Sequence, residues 1–305
     1  METLGAAIQN WMEAYKIHSV RESTYDRLLT SLDLMKRYSV YECDVAKLDS
    51  DDIQAYVNLL VRDGYALSTI RKQYHLIGAY LSHANAIGLV PRLAHKGVEL
   101  PSKSSVVKRE KQVHAYTEEE QDRLRTALQP LEHPAYGAVL LMLETGMRIG
   151  EVLALGWDDI DWRRRAVRIH KTMVRLGNHS KQYVREEAKS YSSNRTIPLS
   201  VRAQELLRNL LRQPSDGGFI IHDRLGNPLS YEAVRWQTRK ACEKAHIPYY
   251  GQHVFRHTFA TNCYHRGCDV KVLSKLLGHS DVTITYNVYI HLFGDALEEM
   301  RAIVG

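Results

Sequence analysis

Cysteine is scarce in this chain: Cys43, Cys242, Cys263 and Cys268 are all that 305 residues carry. Thiols so few and so scattered do not make a disulfide framework, and reduced cysteines are expected. Cys263, His265 and Cys268 stand close together, but a structural zinc site draws its ligands from paired elements, so helix packing is the better reading and no metal site is expected. Long apolar runs are missing as well. The start, Met1 to Tyr15, has neither a basic n-region nor a long apolar h-region, and nowhere do about 18 apolar residues follow one another. These absences predict a soluble, cytosolic protein with no membrane partner. Clustered carboxylates of the kind a two-metal nuclease uses are not found either, nor is a repeat or a low-complexity tract.

What is present suits a folded, basic, two-part protein. A hydrophobic fraction of 44% and a charged fraction of 25% are ordinary globular values, and 305 residues suit two domains better than one. The formal net charge of +6 leans toward a polyanionic partner without identifying it.

Apolar residues recur at helical spacing through residues 1–100: Ile8, Trp11, Met12 and Tyr15; Tyr25, Leu28, Leu29 and Leu32; Ile53, Tyr56, Val57 and Leu60; Ile70, Tyr74, Ile77 and Leu81. This half reads as an all-helical bundle, with helix starts at Ser23-Thr24, Asp49-Ser50-Asp51 and Ser68-Thr69. Residues 101–115 turn to Ser, Lys and Arg, a linker that ends at a capping box of Thr117 with Glu120. Residues 116–305 open with helices around 117–129 and 134–145. Extended signals follow at Val167 and Ile169, at Tyr183 and Val184, and at Arg195-Thr196-Ile197-Pro198-Leu199. Turns are expected at Gly177-Asn178 and over Lys189-Ser190-Tyr191-Ser192-Ser193-Asn194, so a small antiparallel sheet is predicted, with helices resuming after Ser200.

The chemistry-bearing residues crowd the end. His253-Val254-Phe255-Arg256-His257, Leu276-Leu277-Gly278-His279 and Tyr289-Ile290-His291 follow in order, behind Thr145-Gly146-Met147-Arg148-Ile149-Gly150-Glu151 and Lys189. Cleaving a phosphodiester needs a nucleophile, neutralisation of the non-bridging oxygens and a proton for the leaving oxygen. Arg148 and Arg256 suit the second task, because a guanidinium offers paired donors to phosphate and stays protonated. Neither metal nor other cofactor is then called for.

Together these segments resemble the tyrosine recombinases, or phage integrase family, over nearly the whole chain. The likeness rests on four patterns in order: T-G-x-R-x-x-E at 145–151, the hairpin K-S/T-x-x-S-x-R-x-I-P-L at 189–199, H-x-x-R-H at 253–257, and L-G-H followed by Tyr289. Each pattern alone is weak, and the ordered set is specific. The resemblance implies a mainly α protein: an all-helical, SAM-like core-binding domain over 1–100, then a mixed α+β catalytic domain over 116–305 of the DNA breaking-rejoining fold. It also implies the chemistry. Tyr289 would form a 3′-phosphotyrosyl link, storing the bond energy without ATP; Arg148 and Arg256 would hold the non-bridging oxygens; Lys189 would protonate the leaving 5′-oxygen. His253 would serve in general acid/base work, His279 would hydrogen-bond the phosphate, and Glu151 would orient the site.

Blander readings stand beside these. Taken alone, Arg148 reads as a helix C-terminal cation and Lys189 as an ordinary hairpin lysine; the ordered set reverses both. His257 is kept out of the catalytic set as structural. Tyr286 rivals Tyr289 as nucleophile from three residues away, but only Tyr289 has the Y-x-H pattern.

In the first half the resemblance points to DNA contacts at Ser23, Thr24, Tyr25, Ser68, Thr69, Arg71 and Lys72, which otherwise read as helix caps followed by exposed cations. One departure is Leu89-Val90-Pro91-Arg92, where relatives often carry Asn-Pro. The chain begins almost directly with core-binding helices, which suggests recognition of core sites alone, as in Xer-type recombinases and simple element-encoded integrases; the hairpin motif looks closer to integrases of Gram-positive mobile elements. Over 290–305, Leu292, Phe293, Ala296, Leu297, Met300, Ile303 and Val304 predict an amphipathic tail helix, placed by the resemblance on a neighbouring subunit, with packing on its own subunit as the alternative. The expected partners are double-stranded DNA, three further copies in a tetramer on DNA, and an accessory directionality protein, with a monomer free in solution. The competing functions are a type IB topoisomerase and a catalytically silent DNA-binding protein.

Overall fold

The computed structural model describes residues 2–102, 104–106, 113–176, 181–186, 194–212 and 218–289, with backbone alone at 176, 181 and 287–289. Lys189, residues 103 and 107–112 of the basic linker, and the tail 290–305 lie outside the described residues. The chain divides into two compact units, Met1–Lys111 with Arg175–Lys181, and Gln112–Val174 with Gln182–Gly305. Among the described residues no helix is long and apolar enough to cross a membrane.

The first unit is built on α1 (Leu4–Trp11), α2 (Glu22–Met35), α3 (Ser50–Arg62) and α4 (Leu67–Ala86), with a 3-10 turn at Ala94–Gly97. Helical periodicity picked its core well. Ile8, Trp11, Met12, Leu32, Ile53, Tyr56, Val57, Leu60, Ile70, Ile77 and Leu81 are all buried in one cluster, and the buried Tyr56 hydroxyl is satisfied by Gln73 at 3.1 Å. Helix α3 starts at the expected Asp49, whose carboxylate caps it while Asp52 reaches back to the Asp49 amide. The other two expected starts are corrected. Helix α2 begins one residue before Ser23, with Arg21 at its N-cap, and α4 begins one residue before Ser68, with Ala66 there, both lacking a side-chain cap bond. Ser23, Thr24, Ser68 and Thr69 therefore lie in first turns rather than at caps. The Leu89–Arg92 departure is accommodated: Val90 is buried and its carbonyl accepts from Asn85 Nδ2 at 2.9 Å.

The second unit surrounds α6 (Pro134–Thr145), which is apolar on every side and buried along most of its length. Helices α8 (Val201–Leu211), α9 (Tyr231–Lys244) and α10 (His253–His265) pack against it. Helix α5 (Glu118–Ala127) opens at the predicted box, with Thr117 and Glu120 each bonding the other's amide. After the short α7 (Ile149–Ala154) come β1 (Ile160–Asp161), β2 (Ala166–Ile169), β3 (Thr172–Leu176), β4 (Lys181–Arg185) and β5 (Arg195–Pro198). They form two sheets instead of one: an antiparallel β1-β2-β5 sheet and a separate β3-β4 pair. In the first, Val167 faces Ile197 with both side chains buried, while Arg168 faces Thr196 on the exposed side. That alternation fixes the register and sets Arg195 at the inner end of β5. Helices α11 (Val270–Leu277) and α12 (Val282–Tyr289) complete the described residues.

Candidate active site

Helix α6 ends at Gly146, whose φ of +66° belongs to the left-handed region. A side chain there would also collide with the ring of Phe259, so glycine is needed twice over. The reversed chain delivers Arg148 to the N-cap of α7, where its amide donates to Glu151 Oε2 at 2.7 Å and its Nη1 to Glu151 Oε1 at 2.9 Å. Arg148 is thus not a cation ending α6.

Glu151 is nearly enclosed, with 6% exposure. Arg195 from β5 grips it with both arms, Nη1 to Oε1 at 2.9 Å and Nη2 to Oε2 at 2.8 Å. Burial works against the carboxylate, yet the Arg195 fork, the Arg148 charge and the Arg148 amide outweigh it and hold the group down at about 2. It is ionised at any working pH.

Three guanidinium groups from three elements also meet the end of α11. Arg195 Nε donates to the Leu276 carbonyl at 2.6 Å, Arg256 Nη2 to that of Leu277, and Arg148 Nη2 to that of Gly278 at 3.2 Å. These are the carbonyls a helix leaves without internal partners, at the negative end of its dipole. Arg256, buried on α10, also donates to the Gly146 carbonyl at 3.0 Å, tying the α6–α7 turn to the same hub.

Gly278, again left-handed at φ +65°, turns the chain to place His279 beside this cluster. Its Nδ1 lies 2.8 Å from the hydroxyl of the fully buried Thr285 on α12. Burial and then the charges of Arg256, Arg148 and Arg195 push its pKa down to about 3. A neutral ring is the result. When Thr285 donates to Nδ1, the proton sits on Nε2 as a hydrogen-bond donor.

His253 is exposed at the first position of α10, and His257, one turn on, is half-buried and neutral, with burial first and His253 and Arg256 next bringing it to about 4. Tyr289 closes α12, and its side chain lies outside the described residues, as does Lys189; Tyr286 is 45% exposed. Among the expected residues, then, Arg148, Glu151, Arg256 and His279 converge directly, and His253 stands on the helix that carries Arg256. Among the described residues no three His, Cys, Asp or Glu side chains are placed to hold a metal ion. Cys263 and Cys268 instead pack against Ala260, Leu273 and Leu277 where α10 passes to α11.

Two features escaped the sequence reading. Arg195 stood inside the hairpin pattern, but nothing in its spacing announced a bond to a carboxylate 44 residues away. The other is the exposed side of α9, where Arg235, Trp236, Arg239 and Lys240 crowd together and Lys240 Nζ sits 3.6 Å from the Trp236 ring. Its signal was present: cations at i and i+4 around an aromatic.

Two buried arginines and a partly exposed one beside a neutral histidine, on a helical domain with small sheets, suit an anionic group such as a phosphodiester. Comparison with known proteins then gives the family. Residues 112–295 match the model described as the phage integrase family. The chain is 26% identical to a XerC-like tyrosine recombinase of Caldanaerobacter subterraneus subsp. tengcongensis over 95% of this chain and 79% of that one. In fold it resembles the Tn1549 transposon integrase, solved in complex with transposon right end DNA, at TM-score 0.81 and 17% identity, covering 99% of this chain and all of the other. It also resembles lambda integrase, solved as a tetramer bound to a Holliday junction, at TM-score 0.68 and 17% identity, covering 94% and 77% of the two chains. This chain belongs to the phage integrase family, and it is a tyrosine recombinase whose activity is site-specific recombination of DNA.

Proposed function

We propose that the chain cleaves and rejoins DNA through Tyr289. Its phenolic oxygen attacks the scissile phosphorus, the bond from phosphorus to the 5′-oxygen breaks, and the 3′ end stays on the enzyme as a phosphotyrosyl ester. His253 acts on the phenol proton, and Lys189 gives a proton to the departing 5′-oxygen. Arg148 and Arg256 hold the non-bridging oxygens, and neutral His279 donates to one of them. The charge that grows on the phosphorane meets donors already in place. Glu151 orients the site by holding the Arg148 amide.

The observation that carries this reading is the meeting of Arg148, Arg256 and His279 at one helix end, ten residues ahead of Tyr289. The duplex is bound by residues 1–100 and 116–305 acting as two domains joined at 101–115. Ser23, Thr24, Tyr25, Ser68, Thr69, Arg71 and Lys72 supply contacts from the first, and the exposed cations of α9 supply more from the second. Assembly as a tetramer on two sites, a tail helix over 290–305 joining the subunits, an accessory protein setting direction, and action in the cytoplasm belong to the same proposal.

The test is a denaturing gel for covalent adduct, on duplexes from the DNA flanking the gene, each nicked beside a candidate site. Adduct is expected with wild type and with Tyr286→Phe, and none with Tyr289→Phe. Adduct that survives Tyr289→Phe and disappears with Tyr286→Phe moves the nucleophile; none with any flanking or binding-selected duplex overturns the cleavage reading.

A further inference from the structure

The roles of two arginines on Glu151 separate by exposure. The Arg148 side chain is 36% exposed and can turn toward a ligand, whereas that of Arg195 is 5% exposed and cannot. If the Arg148 guanidinium leaves to bind an anion, Glu151 loses one bond to Oε1 and keeps three partners: the two arms of Arg195, and the Arg148 amide on Oε2. No buried charge is stranded by the move. Without Arg195 the same move would leave an enclosed carboxylate with no cation, a costly state that would hold Arg148 back. Arg195 has a second hold through Nε on the Leu276 carbonyl, three residues before His279, so the strand and the histidine's helix stay joined when Arg148 shifts.

We propose that Arg195 is a positioning residue of the strand-transfer site, the fixed counter-ion that lets Arg148 exchange Glu151 and Gly278 for the scissile phosphate while α11 keeps His279 in place. The inference rests on the phosphotyrosyl reading above. Arg195 touches no substrate; it acts through Glu151 and through the end of α11. It stands six residues after Lys189 in the sequence.

The experiment compares wild type with Arg195→Lys, Arg195→Gln, Glu151→Gln and the double variant Glu151→Gln/Arg195→Gln, on the nicked duplex that gives the wild-type adduct. Lysine keeps the charge and loses the two-armed geometry. Arg195→Lys is expected to bind the duplex within about twofold of wild type and to form adduct about 100-fold more slowly at saturating DNA, as for a misplaced reacting group. The pH profile separates positioning from a merely structural role. The charged and titratable neighbours of Glu151 are Arg148 and Arg195, with Arg256, His257 and His279 in the adjoining cluster. Only the Glu151 carboxyl loses its buried counter-ion in Arg195→Gln, so the ratio of its adduct rate to wild type should fall as pH is lowered from about 7.5 to about 5.5. The double variant, with no carboxylate to strand, should lose that slope and be no slower than Arg195→Gln.

Cleavage by Arg195→Lys at the wild-type rate overturns the proposal, and so does a loss shared equally by binding and cleavage with a flat pH ratio. Should Arg195→Gln not fold, the lysine variant decides through its split between binding and rate. Absence of adduct from wild type itself overturns the phosphotyrosyl reading and this one together, whereas wild-type adduct with an indifferent Arg195 overturns this one alone.

Discussion

The candidate residues of the second unit and those of the first differ in how much of their surroundings they already own. Arg148, Glu151, Arg195 and Arg256 reach one another or shared carbonyls through bonds spanning up to 130 residues of chain. Thr24, Ser68, Arg71 and Lys72 are exposed in the first two turns of two helices that lack a side-chain cap. One set is organised before any ligand arrives, as transition-state binding requires. The other offers donors and positive charge that a phosphate backbone can satisfy, which suits affinity rather than chemistry. If the contrast is right, substitutions in the first set damage stability or rate, and those in the second change binding alone.

The largest effect is expected at Glu151. Glu151→Ala leaves the enclosed Arg195 guanidinium with no carboxylate and should cost about 3–5 kcal/mol in a urea melt. Arg71→Gln or Lys72→Gln, on an exposed surface, should stay within about 0.5 kcal/mol. Equal costs in the two units would erase the contrast.

Next comes rate. Arg256→Ala removes a guanidinium from the developing phosphorane and should slow adduct formation by about 100- to 1000-fold with duplex affinity little changed. A loss confined to affinity would instead put Arg256 in the binding set.

A pH scan of unfolding sharpens the comparison, because His257 and His279 have pKa values lowered to about 4 and about 3 from 6.5. Both rings are neutral in the folded chain while the unfolded chain takes up protons below 6.5, so the unfolded state binds more protons there. Their stability contribution is present in full above 6.5 and declines as pH falls toward the folded values. Glu151, lowered from 4.5 to about 2, adds a second decline below 4.5 of the same sign. The unfolding midpoint should be level above about pH 7, fall between about 6.5 and 4, and fall less in His279→Asn. A level profile down to pH 5 would mean these rings are not held neutral.

The first unit answers to salt. Each of Arg71→Gln and Lys72→Gln should reduce the slope of log affinity against log salt by about 1 without altering the cleavage rate of bound duplex. An unchanged slope would remove that residue from the contact set.

How much of this was legible in the sequence depended on whether the signal was local. Ile53, Tyr56, Val57 and Leu60 declared a buried stripe because one helix face decides their fate. Tyr15 and Leu29 matched the same spacing but are 53% and 37% exposed, since a stripe can be wider than the surface that covers it. Strand β1 escaped because two residues carry no alternation, and β3 was implied only by the turn expected at Gly177-Asn178, since Arg175 interrupts the apolar residues of Thr172–Leu176. The motifs held Arg148, Arg256 and His279 through the resemblance alone; that all three meet α11 depends on tertiary contacts that no spacing encodes. Arg195 is the clearest case, a residue in plain view whose partner lies across the fold.

The smallest effect tests the helix starts, where local reading went wrong. Asp49 stands at the extended residue before α3 and its carboxylate accepts from the amides of Asp51 and Asp52. Asp49→Ala should cost about 1 kcal/mol. Ser68 stands inside the first turn of α4, two residues past the point where a hydroxyl caps, because the backbone leaves its extended conformation at Ala66. Ser68→Ala should change stability by less than about 0.5 kcal/mol and weaken duplex binding, measured by melting and titration of the same samples. Equal costs for the two alanines would make Ser68 a cap after all; a silent Ser68 in both assays would leave the start of α4 with Thr69, Arg71 and Lys72 as its contacts.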